Sequence, residues 1–200
     1  MRIGTIGTGR VAQAVARAVA ATGGTMLLGS RTASAERAAA VAGLGAGVSL
    51  VPVEEAARED VVLLAVPWPT VPQVLGGLPD WNGRILIDAT NPFAAVEPEL
   101  VLADLDGRTA SDIVAELAPG ARVIKAFNSI PMAQFELGPR VESGRRVLFV
   151  SGDDAGAKAV VRDLIEGFGF AVIDLGGLTA GGAMQQAGAP LAGPPLVLAD

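Results

Sequence analysis

The first residues whose types and spacing could do chemistry are Gly7-Thr8-Gly9-Arg10-Val11-Ala12, which follow a β-rich run and open an Ala/Val-periodic one. They form G-x-G-x-x-A between a strand and a helix, the fingerprint of a dinucleotide pyrophosphate site. Gly7 permits the tight turn, Gly9 lets the backbone approach a pyrophosphate, and Ala12 is small enough for close helix–strand packing. The anion would rest at the helix N-terminus, on free N–H groups and the positive end of the dipole. Further on, the second strand ends Leu28-Gly29-Ser30-Arg31-Thr32. A site for NAD would place Asp or Glu there to accept the ribose 2′-hydroxyl. This chain offers Ser30 and Arg31 instead, and a guanidinium suits a 2′-phosphate through a bidentate fork. The expected cofactor is NADP.

Three more segments end strands at what should be the same sheet edge: Ala65-Val66-Pro67-Trp68, Asp88-Ala89-Thr90-Asn91-Pro92 and Lys125-Ala126-Phe127-Asn128. Ligands of open α/β sheets bind outside the carboxyl ends of the strands, so these segments should line the crevice near the nicotinamide. Each also has a plain structural reading. The two prolines around Trp68 could simply stop a strand, Asp88 could cap a turn through its own backbone, and Asn91-Pro92 is an ordinary turn pair.

Composition removes many alternatives. Among 200 residues there is no Cys, His or Tyr. That excludes disulfides, thiol nucleophiles, Cys/His zinc sites, a Ser-His-Asp triad and a Tyr-Lys pair. No catalytic side chain and no metal site is expected. The net charge of −6, with scattered basic residues, argues against nucleic acid or an anionic membrane as partner. No apolar run approaches the roughly 20 residues that span a bilayer. Gly7, Gly9, Arg10 and Arg17 would interrupt the core of a signal peptide, so a soluble, cytoplasmic protein is expected.

Half the residues are hydrophobic, and the length suits one compact domain. The patterning predicts strands over Arg2–Ile6, Thr25–Gly29, Val48–Val51, Val61–Ala65, Ile85–Asp88, Arg122–Ala126, Arg146–Ser151 and Phe170–Leu175. It predicts helices over Arg10–Thr22, Ala33–Ala42, Pro52–Arg58, Ser111–Leu117 with Ser111 as N-cap, Ala155–Gly167, and a weak Gly-rich one over Ala180–Ala187. Strands alternating with helices imply βαβ crossovers and a doubly wound, mostly parallel α/β sheet of Rossmann type.

With these motifs in view, the chain resembles the coenzyme F420-dependent NADP oxidoreductases, or NADPH-dependent F420 reductases. The resemblance is carried by Gly7-Thr8-Gly9, Gly29-Ser30-Arg31, Ala65-Val66-Pro67-Trp68, Asn91-Pro92, Lys125-Ala126-Phe127-Asn128-Ser129-Ile130, Ser151-Gly152-Asp153-Asp154 and Gly167-Phe168-Gly169-Phe170. It implies a dinucleotide-binding core over 1–127, an extension over 128–200 that completes the sheet and the acceptor pocket, and a homodimer. It further implies NADP along the sheet edge with a small-molecule redox acceptor, the F420 deazaflavin or FMN or another flavin, stacked on the nicotinamide. By this resemblance Thr8, Ser30 and Arg31 hold the 2′-phosphate, and Val66, Pro67 and Trp68 border the nicotinamide riboside with Ala126 and Phe127. Asn128, Ser129 and Ile130 face the deazaflavin, and the segment containing Met184 helps form the acceptor pocket. Two departures stand out. Ala33, Ser34 and Ala35 offer no charge where some members carry a phosphate-binding Lys, and the C-terminal segment is unusually rich in Gly.

Hydride transfer between stacked rings needs no side-chain acid or base, which agrees with the missing His and Tyr. The rival enzymatic reading is an NADP-dependent carbonyl or hydroxyacid reductase using Lys125 as general acid. A third is a non-enzymatic NADPH-binding sensor.

Overall fold

Alternation of side chains along four short strands decides which residues meet the helices on either side. In the computed structural model, which describes residues 1–32 and 34–199, these are β1 (Arg2–Ile6), β2 (Thr25–Ser30), β4 (Val61–Leu64) and β5 (Ile85–Asp88). Successive side chains point to opposite faces. Ile3, Leu28, Leu63 and Ile87 therefore join one core layer, while Ile6, Val62, Leu64 and Leu86 join the other. Apolar residues on both faces of the strands are what a sheet covered on both sides requires.

The first helix, α1 (Arg10–Ala21), buries Ala12, Val15, Ala16 and Val19, the i, i+3, i+4, i+7 stripe of one helix face. Next come α2 (Ala35–Ala42), β3 (Val48–Pro52), α3 (Val53–Ala56) and, after β4, a 3-10 turn at Trp68–Thr70 leading into α4 (Val71–Leu75). Beyond β5 a small hairpin forms from β6 (Phe93–Ala95) and β7 (Val101–Leu102), followed by α5 (Ala110–Leu117), β8 (Arg122–Ala126) and α6 (Met132–Glu136). The chain ends with β9 (Arg140–Val141), β10 (Gly144–Gly152), α7 (Ala155–Gly167), β11 (Ala171–Asp174), α8 (Leu178–Gln185) and β12 (Val197–Leu198).

The main sheet runs β11-β10-β8-β5-β4-β1-β2-β3. Strands β3, β2, β1, β4, β5 and β8 are parallel neighbours, whereas β10 runs antiparallel to β8. The chain winds outward through β2 and β3, then crosses back to place β4 on the other side of β1. That reversal leaves a crevice between the ends of β1 and β4, where open α/β sheets take their ligands. This is the doubly wound, mostly parallel fold expected from the alternation. No described helix is long and apolar enough to cross a membrane.

Several local expectations are corrected. Helix α5 starts one residue early, and its N-cap is Thr109, not Ser111. Thr109 Oγ1 accepts from Asp112 N–H, and the Asp112 carboxylate accepts from Thr109 N–H, a reciprocal capping box. Helix α2 begins at Ala35, capped by Ser34, and its expected first residue, Ala33, lies outside the described residues. The Gly-rich helix forms over Leu178–Gln185, closely packed on the sheet. A Cβ added to Gly181 would lie 2.5 Å from Ser151 Cβ and 2.9 Å from the Leu175 carbonyl oxygen.

Candidate functional site

Gly7 leaves β1 with φ 108°, a left-handed backbone that favours glycine, and an added Cβ would meet the Ala65 carbonyl oxygen at 2.3 Å. Gly9 has the opposite surroundings: nothing lies within 4 Å of a Cβ built there. It is the N-cap of α1, and no side chain caps that helix end or places an acid in its first turn. The first-turn N–H groups are therefore left for a ligand, with the positive dipole end behind them.

Beside this turn lies a cavity of about 560 Å³. Its wall brings together Gly7 and Thr8 from the end of β1, Ser30, Arg31 and Thr32 from the end of β2, and Val66 and Pro67 from the end of β4. One further cation was missed in the sequence. Arg37, on the first turn of α2, lines the same cavity and donates from Nη1 to Thr32 Oγ1 (2.6 Å), to the Thr32 carbonyl (3.0 Å) and to Ser30 Oγ (3.2 Å). Arg31 reaches across to Gln73 Oε1 at 3.2 Å. Two guanidiniums and two hydroxyls at the end of β2, with no carboxylate among the cavity's lining residues, are a donor set for a phosphate and a poor one for a bare ribose diol. The signal for Arg37 was the Ser34 N-cap, which turns the helix so that its third residue faces back over the strand end.

A second cavity, of about 680 Å³, opens off the ends of β5 and β8. Val11, Asn91 and Phe127, nominated for the cofactor, and Asn128, Ser129 and Ile130, nominated for the acceptor, all line it. Its outer wall comes from pieces the sequence did not nominate: Phe93, Leu100 and Leu102 of the β6–β7 hairpin, and the backbone around Ala187-Gly188 and Ala192-Gly193. Not one lining residue is ionisable. Phe127 holds φ at 65°, rare for a bulky side chain and costing on the order of 1–3 kcal/mol. Its ring is fully buried edge-on against Phe135, 6.1 Å between centroids, and Phe135 stacks on Phe170. The ring thus anchors the strand end in the core while the backbone bends away toward the cavity.

Other nominated residues stand elsewhere. Met184 is 47% exposed on α8 and is absent from the cavity wall, because residues after the helix close that side instead. Trp68 packs against the core layer that holds Val62 and Leu64, and Ala126 is buried in the opposite layer. Pro92 is buried and its carbonyl accepts from Ala103 N–H, while Ala65 backs the Gly7 turn. Arg10 pairs with Glu136 of α6 at 2.7 Å, and Arg17 lies 3.7 Å from the same carboxylate. That hydrogen bond, chiefly, holds the Glu136 carboxyl below its ordinary range.

At the ends of β5 and β8, Lys125 and Asp88 form a fully buried ion pair, Nζ to Oδ2 2.9 Å. Lys125 also donates to the Thr90 carbonyl. Asp88 accepts from Ser111 Oγ (2.6 Å), Thr90 Oγ1 (2.6 Å) and Thr90 N–H (2.9 Å). Burial would raise the Asp88 carboxyl, but the Lys125 charge and these hydrogen bonds outweigh it and hold the group below its usual range. Ser111, expected as a cap, is spent on this carboxylate. Lys125, the general acid of the carbonyl-reductase reading, has no exposed surface from which to protonate a substrate.

Comparison with known proteins bears on the family and the fold. Residues 2–92 match the family model for NADP oxidoreductase, coenzyme F420-dependent. A hypothetical protein from Sinorhizobium meliloti is 36% identical, with a TM-score of 0.90 over 99% of this chain and 95% of its own. A protein from Arthrobacter sp. FB24, provisionally assigned as an F420-dependent NADP reductase, is 25% identical with a TM-score of 0.70, covering 89% of this chain and 86% of its own. The rat (Rattus norvegicus) metalloreductase STEAP3 is 28% identical over 90% of this chain, which spans 34% of that protein's length. The fold and the site define a dinucleotide-binding reductase. Over residues 2–92 the chain matches the F420-dependent NADP oxidoreductase family. Its fold is of Rossmann type.

Proposed function

We propose that the chain transfers a hydride between NADP(H) and a planar deazaflavin or flavin acceptor, with F420 the first candidate. The observation that carries this reading is the second cavity: large, mostly apolar, and lined by no ionisable group. When bound, NADP(H) supplies or takes up the hydride, and that exchange requires no proton from a side chain. The chain's part is to hold and exclude. In this reading Gly7, Thr8, Gly9 and the first turn of α1 hold the pyrophosphate, with Ser30, Arg31, Thr32 and Arg37 on the 2′-phosphate. Phe93, Leu100, Leu102, Phe127 and Ile130 keep water from the reacting rings, and orienting two rings in contact supplies most of the rate. Residues 1–127 form the dinucleotide core, and 128–200 complete the sheet and close the acceptor side. A homodimer belongs to the same reading, supported by the exposed Val96, Leu100, Val101 and Leu102 around the hairpin, and sedimentation velocity tests it.

The test is anaerobic mixing with NADPH and oxidised F420, following loss of the deazaflavin's visible absorbance, with FMN in a parallel cell. Bleaching of F420 in preference to FMN is expected. Bleaching of FMN alone would change the acceptor and keep the mechanism. Tight NADPH binding without bleaching in either cell would overturn the enzyme reading in favour of the sensor.

A further inference from the structure

The ion pair of Asp88 and Lys125 has no place in the proposed hydride transfer, yet both side chains are fully buried. Stability alone is a weak reason for keeping it. Two charges taken out of water together gain little over well-packed apolar side chains of similar volume. What the pair holds is more telling. Asp88 ends β5, and its carboxylate receives four donors: Thr90 N–H and Thr90 Oγ1 on Oδ1, and Ser111 Oγ and Lys125 Nζ on Oδ2. That fills the roughly four lone-pair sites of a carboxylate. Lys125, opposite Asp88 in the strand register, also donates from Nζ to the Thr90 carbonyl at 3.0 Å. The N–H, the hydroxyl and the carbonyl of Thr90 are therefore all held by the two charged side chains.

Thr90 lies between two residues of the second cavity's wall, Ala89 and Asn91. Asn91 carries the hold further. Its Nδ2 donates to the Asn128 carbonyl at 2.9 Å, and its Oδ1 accepts from Asn128 Nδ2 and from Ala187 N–H, each at 3.1 Å. Asn128 and Ala187 line the same cavity. One short stretch at the end of β5, gripped by the pair, thus joins three pieces of wall: the ends of β5 and β8 and the segment after α8.

We infer that Asp88 and Lys125 are positioning residues, which act through Thr90 and Asn91 to fix the wall of the second cavity before the acceptor arrives. This rests on the reading that the cavity takes the acceptor ring. A wall already in place spares the complex the cost of ordering it on binding. Neither charged side chain lines the cavity, so their effect passes through the residues they hold. None of the residues lining the dinucleotide cavity belongs to this chain of hydrogen bonds.

Asp88→Asn combined with Lys125→Met removes both charges at once, so that neither is left buried alone. Equilibrium titrations of the whole chain then measure NADP, followed by oxidised F420 and lumiflavin with NADP saturating. The double variant should keep a cooperative urea melt and the wild-type affinity for NADP. It should bind whichever acceptor probe the wild-type chain takes about tenfold more weakly, the size of a modest ordering cost. Unchanged acceptor affinity, or an equal loss of NADP affinity, overturns the inference. Should the double variant lose its cooperative melt, Thr90→Val and Thr90→Ser decide instead. Valine removes the hydroxyl that Asp88 holds and serine keeps it, so only the valine variant should bind the acceptor more weakly. Two threonine variants that bind alike overturn the inference. A wild-type chain that binds NADP but neither F420 nor lumiflavin brings down the underlying reading, and the inference with it.

Discussion

The two cavities are built in different ways. The dinucleotide cavity takes its polar wall from three strand ends and the first turn of α2, most of it within the first 37 residues, and it is open, charged and rich in hydroxyls. The acceptor cavity draws on residues from Val11 to Gly193, is mostly apolar, and is tied through Asn128 to a buried hydrogen-bonded network of Gln185, Lys125, Asp88, Thr90 and Ser111. One site is specified by local motifs and waits for a charge. The other exists only once distant segments have folded together. Binding at the first should therefore respond to single charges and salt, and binding at the second to anything that disturbs this network.

The sharpest way to break this comparison is through the buried pair. Asp88→Asn leaves Lys125 without its counter-charge, a change that costs about 3–5 kcal/mol, and the urea midpoint should fall accordingly. If this network supports the acceptor side, flavin or deazaflavin binding should drop more than NADP binding. Equal losses at both sites would dissolve the distinction. The same carboxyl sets an acid signature. Its folded value lies below the ordinary 3.8, so its contribution is present above that value and is lost as the pH falls through the folded value. The acid limb of stability in Asp88→Asn should be shallower than in the wild-type chain.

Smaller, and of opposite sense, is the effect of the two cations. Arg31→Ala and Arg37→Ala should each weaken NADP binding on the order of tenfold while sparing NAD, since each removes one charged hydrogen-bonding partner of a phosphate. Urea midpoints should stay put. Salt of about 1 M, where the Debye length shrinks to about 3 Å, should weaken NADP binding and leave lumiflavin binding unchanged. Arg37→Ala without effect on NADP against NAD would remove it from the site. Smaller again, Thr109→Ala removes the α5 cap and should cost about 1 kcal/mol of stability by urea titration, with NADP binding intact. Least of all, Glu136→Gln breaks only exposed pairs with Arg10 and Arg17, and the melting temperature should hold. A clear drop would reveal that α6 depends on α1 through charge.

The same contrast explains what could be read from the chain beforehand. Strand β8 and helix α7 fall where periodicity placed them, and the Gly7 turn, Ser30 and Arg31 come together because a strand–turn–helix motif carries its geometry in a dozen residues. Arg37 escaped because it lies beyond the loop, on a helix whose rotation only the Ser34 cap reveals. The β6–β7 hairpin escaped because Phe93–Ala95 and Val101–Leu102 are too short to show a period-two pattern, with one proline and two acids between them. Ser111 was misread because its neighbour two residues earlier offers the same cap chemistry, and only the buried Asp88 carboxylate decides which hydroxyl goes where. The direction of β10 is a tertiary property that its composition does not encode.

Gly181 limits how this molecule could be adapted to heat. A glycine inside a helix costs about 1 kcal/mol against alanine, so lineages under thermal selection would ordinarily replace it. A methyl at this position would drive into Ser151 and the backbone of Leu175 and lift α8 from the sheet. Gly182 has room, with Lys125 Cδ and Ser111 at 3.8 Å from an added Cβ. Of the two adjacent glycines, then, one is free to drift toward alanine, and the other can change only when the wall it presses against changes with it.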